Sequence, residues 1–235
     1  MRILVHQERF PHELSTEERR NGMEKDLQRL IIERLKPYKT ALIVVDVQND
    51  FCHPEGGVSK RGINLSQIEK AAVNLIYFTD HCRKADLPII FVRTVHSDWT
   101  DSPSWLGRLG GMTKETPVCR MNSWGAEFYK IEPREDDFIV VKHRYSGFVG
   151  TNLDLVLRSK GIETLLISGV ATNVCVETTA RDGFNLNYNV LLVEDCCGAF
   201  SPDEHASALR NLGSYFGIVT DSKTLLEVLK GLRKV

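Results

Sequence analysis

Ala41-Leu42-Ile43-Val44-Val45 is a continuous apolar run, and Asp46 ends it. Runs of this kind, rich in β-branched residues, are typical of strands buried on both faces of a parallel sheet. Further strand patterns follow at 88–94, 138–142, 164–168, 189–194 and 219–220. Helical patterns separate them at 65–85, 151–160, 173–185, 204–216 and 222–232. The alternation predicts a three-layer α/β/α domain around a central, mostly parallel sheet.

Composition excludes several classes of protein. Of the 235 residues, 42% are apolar and 26% are charged, which is typical of a globular chain with a full core. The formal net charge of -1 argues against a dedicated nucleic-acid binder. The sequence has neither an apolar stretch long enough to span a membrane nor an N-terminal export signal, so we expect a cytoplasmic protein without membrane partners.

The N-terminal segment differs from the rest of the chain. Residues 13–37 carry a helical pattern with a densely charged polar face. We interpret residues 1–37 as a helical arm and residues 38–235 as the main domain. The arm is either a solvated helix or a segment that packs on a partner subunit.

Three chemically different side chains stand at or just beyond the carboxyl ends of predicted strands. Asp46 ends the first strand, Lys142 ends the strand at 138–142, and Cys175 lies in the turn after 164–168. Open parallel sheets bind ligands at this edge. We therefore expect a carboxylate, an ammonium group and a thiol to meet there.

Each of these residues alone has an ordinary structural explanation, as a helix cap, a solvated lysine or a small core residue. Together they predict nucleophilic catalysis, because a helix N-terminus and a lysine lower the pKa of a thiol. Asp46 would take the thiol proton and later give it to a leaving amine. Lys142 would stabilise the charged pair.

Three blocks of the sequence resemble the isochorismatase-like cysteine hydrolases. They are residues 41–51, Lys142 with Arg144-Tyr145-Ser146-Gly147-Phe148, and residues 169–176. The blocks match in order and spacing, and the similarity extends over residues 40–230. The resemblance implies the isochorismatase-like hydrolase fold and a catalytic triad of Asp46, Lys142 and Cys175.

The third block carries two further implications of the resemblance. The peptide bond between Val170 and Ala171 is expected to be cis. The backbone N–H groups of Ala171 and Cys175 are expected to form an oxyanion hole, which stabilises the tetrahedral intermediate of acyl transfer.

The resemblance also argues against two reactions found in this superfamily. Nicotinamidases of this superfamily bind a metal through an Asp-x-His motif, whereas Asp98 follows His96 here, so we expect no metal and no other cofactor. Isochorismatases proper replace the nucleophilic cysteine with a smaller residue, so Cys175 argues against their reaction.

The remaining branch contains the ureidoacrylate amidohydrolases, the biuret hydrolases and the N-carbamoylsarcosine amidohydrolases. Residues 144–148, 157–162 and 181–184 resemble the first of these, and residues 194–199 are closer to the second. We expect a metal-independent amidohydrolase that cleaves a C–N bond of a small ureido or carbamoyl amide through a thioester. The alternatives are an amidase acting on another small aliphatic or aromatic amide, and a non-catalytic scaffold.

Substrate contacts and assembly are less constrained. The candidate substrate contacts are Gln48, Phe51, Trp99, Tyr145, Phe148 and Asn173. Asn173 would bond a urea-like group or cap a helix, and Gln48 would hold a substrate atom or be an ordinary polar loop residue. The aromatic residues would wall a pocket or serve ordinary packing. Family members usually assemble as homodimers or homotetramers. The sequence assigns no role to Cys196 or Cys197.

Overall fold

The structure is a computed structural model that describes residues 16–107 and 117–232. Over these residues a six-stranded sheet forms the centre of the molecule. Its strands are Thr40–Val45 (β1), Ile89–Thr94 (β2), Phe138–Lys142 (β3), Thr164–Val170 (β4), Asn189–Gly198 (β5) and Ile218–Thr220 (β6). The strands lie in the order β3-β2-β1-β4-β5-β6, and every neighbouring pair is parallel.

Helices cover both faces of the sheet. They are Thr16–Arg34 (α1), Asn49–Cys52 (α2), Ser66–Lys84 (α3), Pro103–Leu106 (α4), Leu153–Ser159 (α5), Glu177–Asn185 (α6), Pro202–Tyr215 (α7) and Ser222–Leu232 (α8). Residues of α1, α3 and α8 pack on one face, and residues of α5, α6 and α7 pack on the other. The predicted three-layer α/β fold is confirmed. None of the described helices is long and apolar enough to cross a membrane.

The apolar run of β1 reflects its position in the middle of the sheet. Leu42 and Val44 join the core on one face, whereas Ile43 and Val45 join the core on the other. Side chains alternate across a strand, so a strand covered on both faces requires apolar residues at every position. Full burial of one such side chain contributes about 1.5–3 kcal/mol relative to exposure.

The carboxyl ends of β1 and β4 approach each other unusually closely. Gly169 has φ +113°, and a Cβ at this position would lie 2.0 Å from the carbonyl oxygen of Val45. Glycine alone accepts both this conformation and this contact. The close approach brings the turn that follows β4 beside Asp46, which follows β1.

The N-terminal helix is attached to the domain at its end. Ile31 and Leu35 are fully buried in the core on the α3 and α8 side. The Thr164 hydroxyl donates a hydrogen bond to the carbonyl of Arg34 at 2.8 Å. The predicted start of the helical pattern at residue 13 lies outside the described residues, and the division into an arm and a domain stays a prediction.

Candidate active site

Asp46 lies directly after β1, at the carboxyl edge of the sheet. Its φ of +53° is left-handed, a conformation that aspartate adopts more readily than most residues. Its N–H donates to the carbonyl of Val92, and its own carbonyl accepts from the N–H of Gln48, both at 2.8 Å. The backbone is therefore fixed, and the carboxylate is almost completely buried.

Lys142 ends β3, and its ammonium group reaches across the end of β2 to Asp46. The Nζ–Oδ2 distance in this ion pair is 2.7 Å, and both side chains are buried. Nζ donates three hydrogen bonds, to the Thr94 hydroxyl at 2.7 Å, the Arg144 carbonyl at 3.0 Å and the Cys175 sulfur at 3.4 Å. The ammonium group thus joins the carboxylate to the thiol.

Cys175 lies in a wide helical turn, Thr172–Val176, between β4 and α6. The peptide bond from Val170 to Ala171, at the entrance to this turn, is cis. The Thr179 hydroxyl donates to the Cys175 carbonyl at 2.7 Å and accepts from the N–H of Gly147 at 2.9 Å. It therefore links the turn that carries Cys175 to the loop that follows Lys142.

The protonation state of the cluster follows from burial and charge. Burial raises the pKa of the Cys175 thiol, and the positive charge of Lys142 opposes the rise without cancelling it. Burial alone would lower the pKa of Lys142, but the charge of Asp46 and the hydrogen bonds to Asp46 and Cys175 outweigh burial and raise that pKa. The resting cluster is a carboxylate, an ammonium and a neutral thiol, with no net charge. Lys142 lowers the thiol pKa as expected, but burial has the larger effect and the net pKa is raised.

A cavity of about 220 Å³ opens onto this cluster. Asp46, Lys142 and Cys175 all line it, together with Val170 and Ala171, which precede the turn that carries Cys175. Of the six candidate substrate contacts, three line this cavity: Phe51, Tyr145 and Asn173. The Oδ1 atom of Asn173 is buried and has no hydrogen-bond partner among the described residues, and no side chain caps the turn.

The other three candidates lie elsewhere. Trp99 is 97% exposed. Phe148 stacks on Tyr188 with ring centroids 5.9 Å apart. Gln48 is buried, and its amide bonds the N–H and carbonyl of Thr94 and the carbonyl of Ala126 at 2.8–2.9 Å. These positions do not support substrate contact, because none of the three side chains lines the cavity.

The structure adds residues that the sequence analysis did not assign to catalysis. Thr94, at the end of β2, lies between Asp46 and Lys142. Trp105 lines the cavity with His96, and their ring centroids are 5.3 Å apart. The signal for Thr94 was present, because it ends a strand at the same edge as the catalytic candidates. Trp105 and Trp99 carried the same expectation of an aromatic pocket wall, and the sequence did not show which of them reaches the cavity.

Among residues 16–107 and 117–232, no group of three or more His, Cys, Asp and Glu side chains is arranged to hold a metal ion.

A parallel three-layer fold that gathers a thiol, a carboxylate and an ammonium group at its carboxyl edge defines a class of small-molecule hydrolases. Within that class, residues 40–224 match the family model described as the Isochorismatase domain. The chain therefore belongs to the isochorismatase family, and the resemblance seen in the three sequence blocks is confirmed.

Individual relatives make the comparison more specific. The chain is 35% identical over 201 residues to ureidoacrylate amidohydrolase RutB of Pseudomonas savastanoi pv. phaseolicola, covering 80% of this chain and 82% of that protein. It is 31% identical over 211 residues to ureidoacrylate amidohydrolase RutB of Acinetobacter baylyi, covering 84% and 86%.

Solved structures show the same fold. A cysteine hydrolase from Pseudomonas syringae pv. phaseolicola superposes with a TM-score of 0.76 at 27% identity, covering 84% of this chain and 95% of that one. N-carbamoylsarcosine amidase from Thermoplasma acidophilum superposes with a TM-score of 0.63 at 30% identity, covering 78% and 96%.

Proposed function

We propose that this protein is an amidohydrolase that cleaves a C–N bond of a small ureido or carbamoyl compound through a thioester on Cys175. The observation that carries the proposal is the buried Asp46–Lys142–Cys175 cluster facing a cavity of about 220 Å³. Its volume is below the roughly 300–1,000 Å³ of pockets for drug-sized ligands, which favours a small metabolite. The similarity to ureidoacrylate amidohydrolases supports the ureido class.

The reaction begins with a proton transfer. Asp46 takes the proton of the Cys175 thiol as the sulfur attacks the substrate carbonyl carbon, so that no free thiolate has to persist in the buried site. Lys142 stabilises the negative charge, which passes from the carboxylate to the sulfur and the substrate oxygen. This order of events agrees with the raised pKa of the thiol.

The negative oxygen of the tetrahedral intermediate is stabilised by backbone N–H groups. We assign this role to Ala171, which precedes the wide turn, and to Cys175, which lies within it; both residues line the cavity. Removing one such donor typically costs about 2.7–4 kcal/mol of transition-state stabilisation. Asp46 then gives its proton to the leaving nitrogen, and water hydrolyses the thioester. A carbamate product decomposes spontaneously.

The cavity wall supplies the substrate contacts. The unpartnered Asn173 Oδ1 accepts a hydrogen bond from a substrate N–H, and Phe51 and Tyr145 pack against the rest of the molecule. A buried acceptor without a partner costs about 1–3 kcal/mol, and an N–H of a ureido substrate removes this cost.

The first experiment measures ammonia release by EDTA-treated protein from a ureidoacrylate-type compound, biuret, an N-carbamoyl amino acid, nicotinamide and a plain aliphatic amide. We expect turnover of a ureido or carbamoyl compound that is lost in Cys175→Ala. Cys82→Ala is the matched control, because Cys82 is a buried cysteine of α3 outside the cavity lining. Turnover of nicotinamide or the plain amide alone, or equal activity in both variants, would overturn the proposal.

The substrate contact has its own test. Asn173→Ala should reduce kcat/KM for the ureido substrate by about tenfold, since one hydrogen bond contributes about 0.5–1.5 kcal/mol. An ester analogue that lacks the N–H group should be hydrolysed equally by both proteins. An equal loss on both substrates would mean that Asn173 shapes the turn and does not contact the ureido group.

Assembly as a homodimer or homotetramer, with the N-terminal arm at the interface, is part of the same proposal. Leu27, Leu30 and Ile32 of α1 are exposed apolar side chains that a second copy would cover. Light scattering should give a multiple of 26.6 kDa that falls in Leu30→Glu. A monomeric wild type would contradict this.

A further inference from the structure

The Thr94 hydroxyl bridges Asp46 and Lys142. Its Oγ1 lies 2.7 Å from the Nζ of Lys142 and 2.9 Å from the Oδ1 of Asp46. The residue ends β2, between the strands that carry the two charges, and it is buried.

The directions of these hydrogen bonds are fixed by chemistry. An ammonium group donates and cannot accept, so Oγ1 must accept from Lys142. The single hydrogen of the hydroxyl is then left for Oδ1 of Asp46. Thr94 therefore gives the two carboxylate oxygens different surroundings.

The other carboxylate oxygen keeps its lone pairs. The three hydrogens of Lys142 are directed to Thr94, the Arg144 carbonyl and the Cys175 sulfur. Oδ2 of Asp46 forms the 2.7 Å ion pair with Nζ, and a side-chain hydrogen bond also joins Asp46 to the Cys175 thiol. Oδ2 thus lies in the field of the ammonium charge while remaining available to accept a proton.

The backbone of Thr94 is held in place by Gln48. The Thr94 N–H donates to Oε1 at 2.8 Å, and Nε2 donates to the Thr94 carbonyl at 2.9 Å. The second Nε2 hydrogen is used by the carbonyl of Ala126 at 2.8 Å. Gln48 therefore holds both the N–H and the carbonyl of Thr94, and this fixes the backbone that carries the hydroxyl.

We propose that Thr94 is a positioning residue for the reaction: by binding Oδ1 it holds the Asp46 carboxylate so that Oδ2 receives the Cys175 proton. The S–H bond breaks, an O–H bond forms on Oδ2, and the sulfur electron pair forms the bond to the substrate carbonyl carbon. The same proton later passes from Oδ2 to the leaving nitrogen. The inference rests on the proposed function for its substrate.

The decisive comparison is Thr94→Val with Thr94→Ser. T94V keeps the branched shape and removes the hydroxyl, so kcat should fall about 10- to 100-fold with KM changed less than about threefold. T94S keeps the hydroxyl and should recover most of the activity. Thr79→Val is the matched control, because Thr79 is a buried threonine of α3 whose hydroxyl has no partner among the described residues.

The pH dependence of kcat/KM distinguishes a positioning role of the Thr94 hydroxyl from a role in packing. The ionised carboxylate loses a hydrogen bond in T94V, so the acid limb of kcat/KM should move to higher pH. The ionisable groups that act on Asp46 are Lys142, Cys175, Cys52 and Cys119, and none of them is changed in this variant. In T79V the acid limb should stay in place.

A second readout does not need the substrate. At pH 8, iodoacetamide should alkylate Cys175 several-fold more slowly in T94V than in the wild type, T94S or T79V. This comparison decides the role of Thr94 even if the wild type hydrolyses no compound tested, which would refute the proposed function alone. If T94V does not fold, Thr94→Ala removes the same hydroxyl without adding a methyl group. Unchanged kinetics and alkylation, or equal losses in T94V and T94S, would overturn the inference.

Discussion

Strand β1 has a lysine–carboxylate pair at each end, in opposite environments. At the amino ends, Lys39 precedes β1 and Glu163 precedes β4, and their side chains are 36% and 52% exposed. At the carboxyl ends, Asp46 follows β1 and pairs with Lys142 in a site almost closed to solvent. A lysine–carboxylate pair is therefore solvated at one end of the sheet and buried at the other.

The difference shows why the buried pair is present. An exposed pair is screened by solvent and contributes little to stability. A buried pair loses its hydration, and its replacement by apolar residues of similar size is often neutral or stabilising. The carboxyl-edge pair is thus poorly explained by stability. The pair contacts a thiol and lines a cavity, and these contacts favour a role in a reaction.

The largest effect is expected from breaking the buried pair. Lys142→Met leaves the Asp46 carboxylate buried without its counter-charge, so the free energy of unfolding should fall by about 3–5 kcal/mol. Activity should be lost as well. Urea titration followed by circular dichroism measures the first effect, and the ammonia assay measures the second.

The double variant Asp46→Leu with Lys142→Met sharpens this test. Because no charge is left without a partner, most of the lost stability should return while activity stays absent. A single K142M variant as stable as the wild type would show that Asp46 is protonated or hydrated in the folded protein, and the comparison between the two ends would fail.

A second prediction compares Gly169, near the carboxyl end of β4, with Gly161, which precedes β4. Gly169→Ala combines an unfavourable φ of +113° with a Cβ placed 2.0 Å from the Val45 carbonyl, and should cost about 2–4 kcal/mol. Gly161, before β4, has φ +66° with nothing within 4 Å of its Cβ position, so Gly161→Ala should cost only about 1 kcal/mol. Equal losses in the free energy of unfolding, measured by urea titration, would show that the carboxyl ends of β1 and β4 are not as close as described.

How much of this the sequence predicted depends on the kind of contact. The fold was predicted because an apolar run such as Ala41–Val45 can be satisfied only in a strand covered on both faces. The convergence of Asp46, Lys142 and Cys175 was predictable from a rule on strand ends, which does not depend on loop geometry. The catalytic roles of these residues stay a prediction.

Loop side chains could not be predicted in the same way. Gln48 follows a strand end, but its amide is used by the backbone of Thr94 and Ala126, far away in the sequence. Trp99 and Trp105 lie in one loop region, yet the first is exposed and the second is buried at the cavity. Long-range hydrogen bonds and packing decide such orientations, and local sequence patterns carry no information about them.

A third prediction concerns the thiol at the buried end. Because burial raises the pKa of Cys175, its thiolate fraction at pH 7 should lie below that of an ordinary thiol with a pKa of about 8.5. The rate of alkylation should keep rising with pH beyond 8.5, and mass spectrometry should place the label on Cys175. A plateau below pH 8 would mean that the resting thiol is ionised.

The smallest effect is expected at the exposed pair. Lys39→Met should lower Tm by at most about 2 °C, since solvent and salt screen both side chains, and the difference should vanish in 1 M salt. The hydrogen bond between the two side chains raises the pKa of Lys39 and lowers that of Glu163.

The pair therefore contributes where both groups are charged. Its effect should be lost as the pH falls through the lowered pKa of Glu163 and as it rises through the raised pKa of Lys39. In differential scanning calorimetry, the K39M and wild-type curves should converge at both extremes. A Tm loss in K39M that matches K142M and persists in 1 M salt would show that both ends of the sheet hold their charges in the same way. The distinction between a solvated pair and a catalytic one would then have no energetic basis.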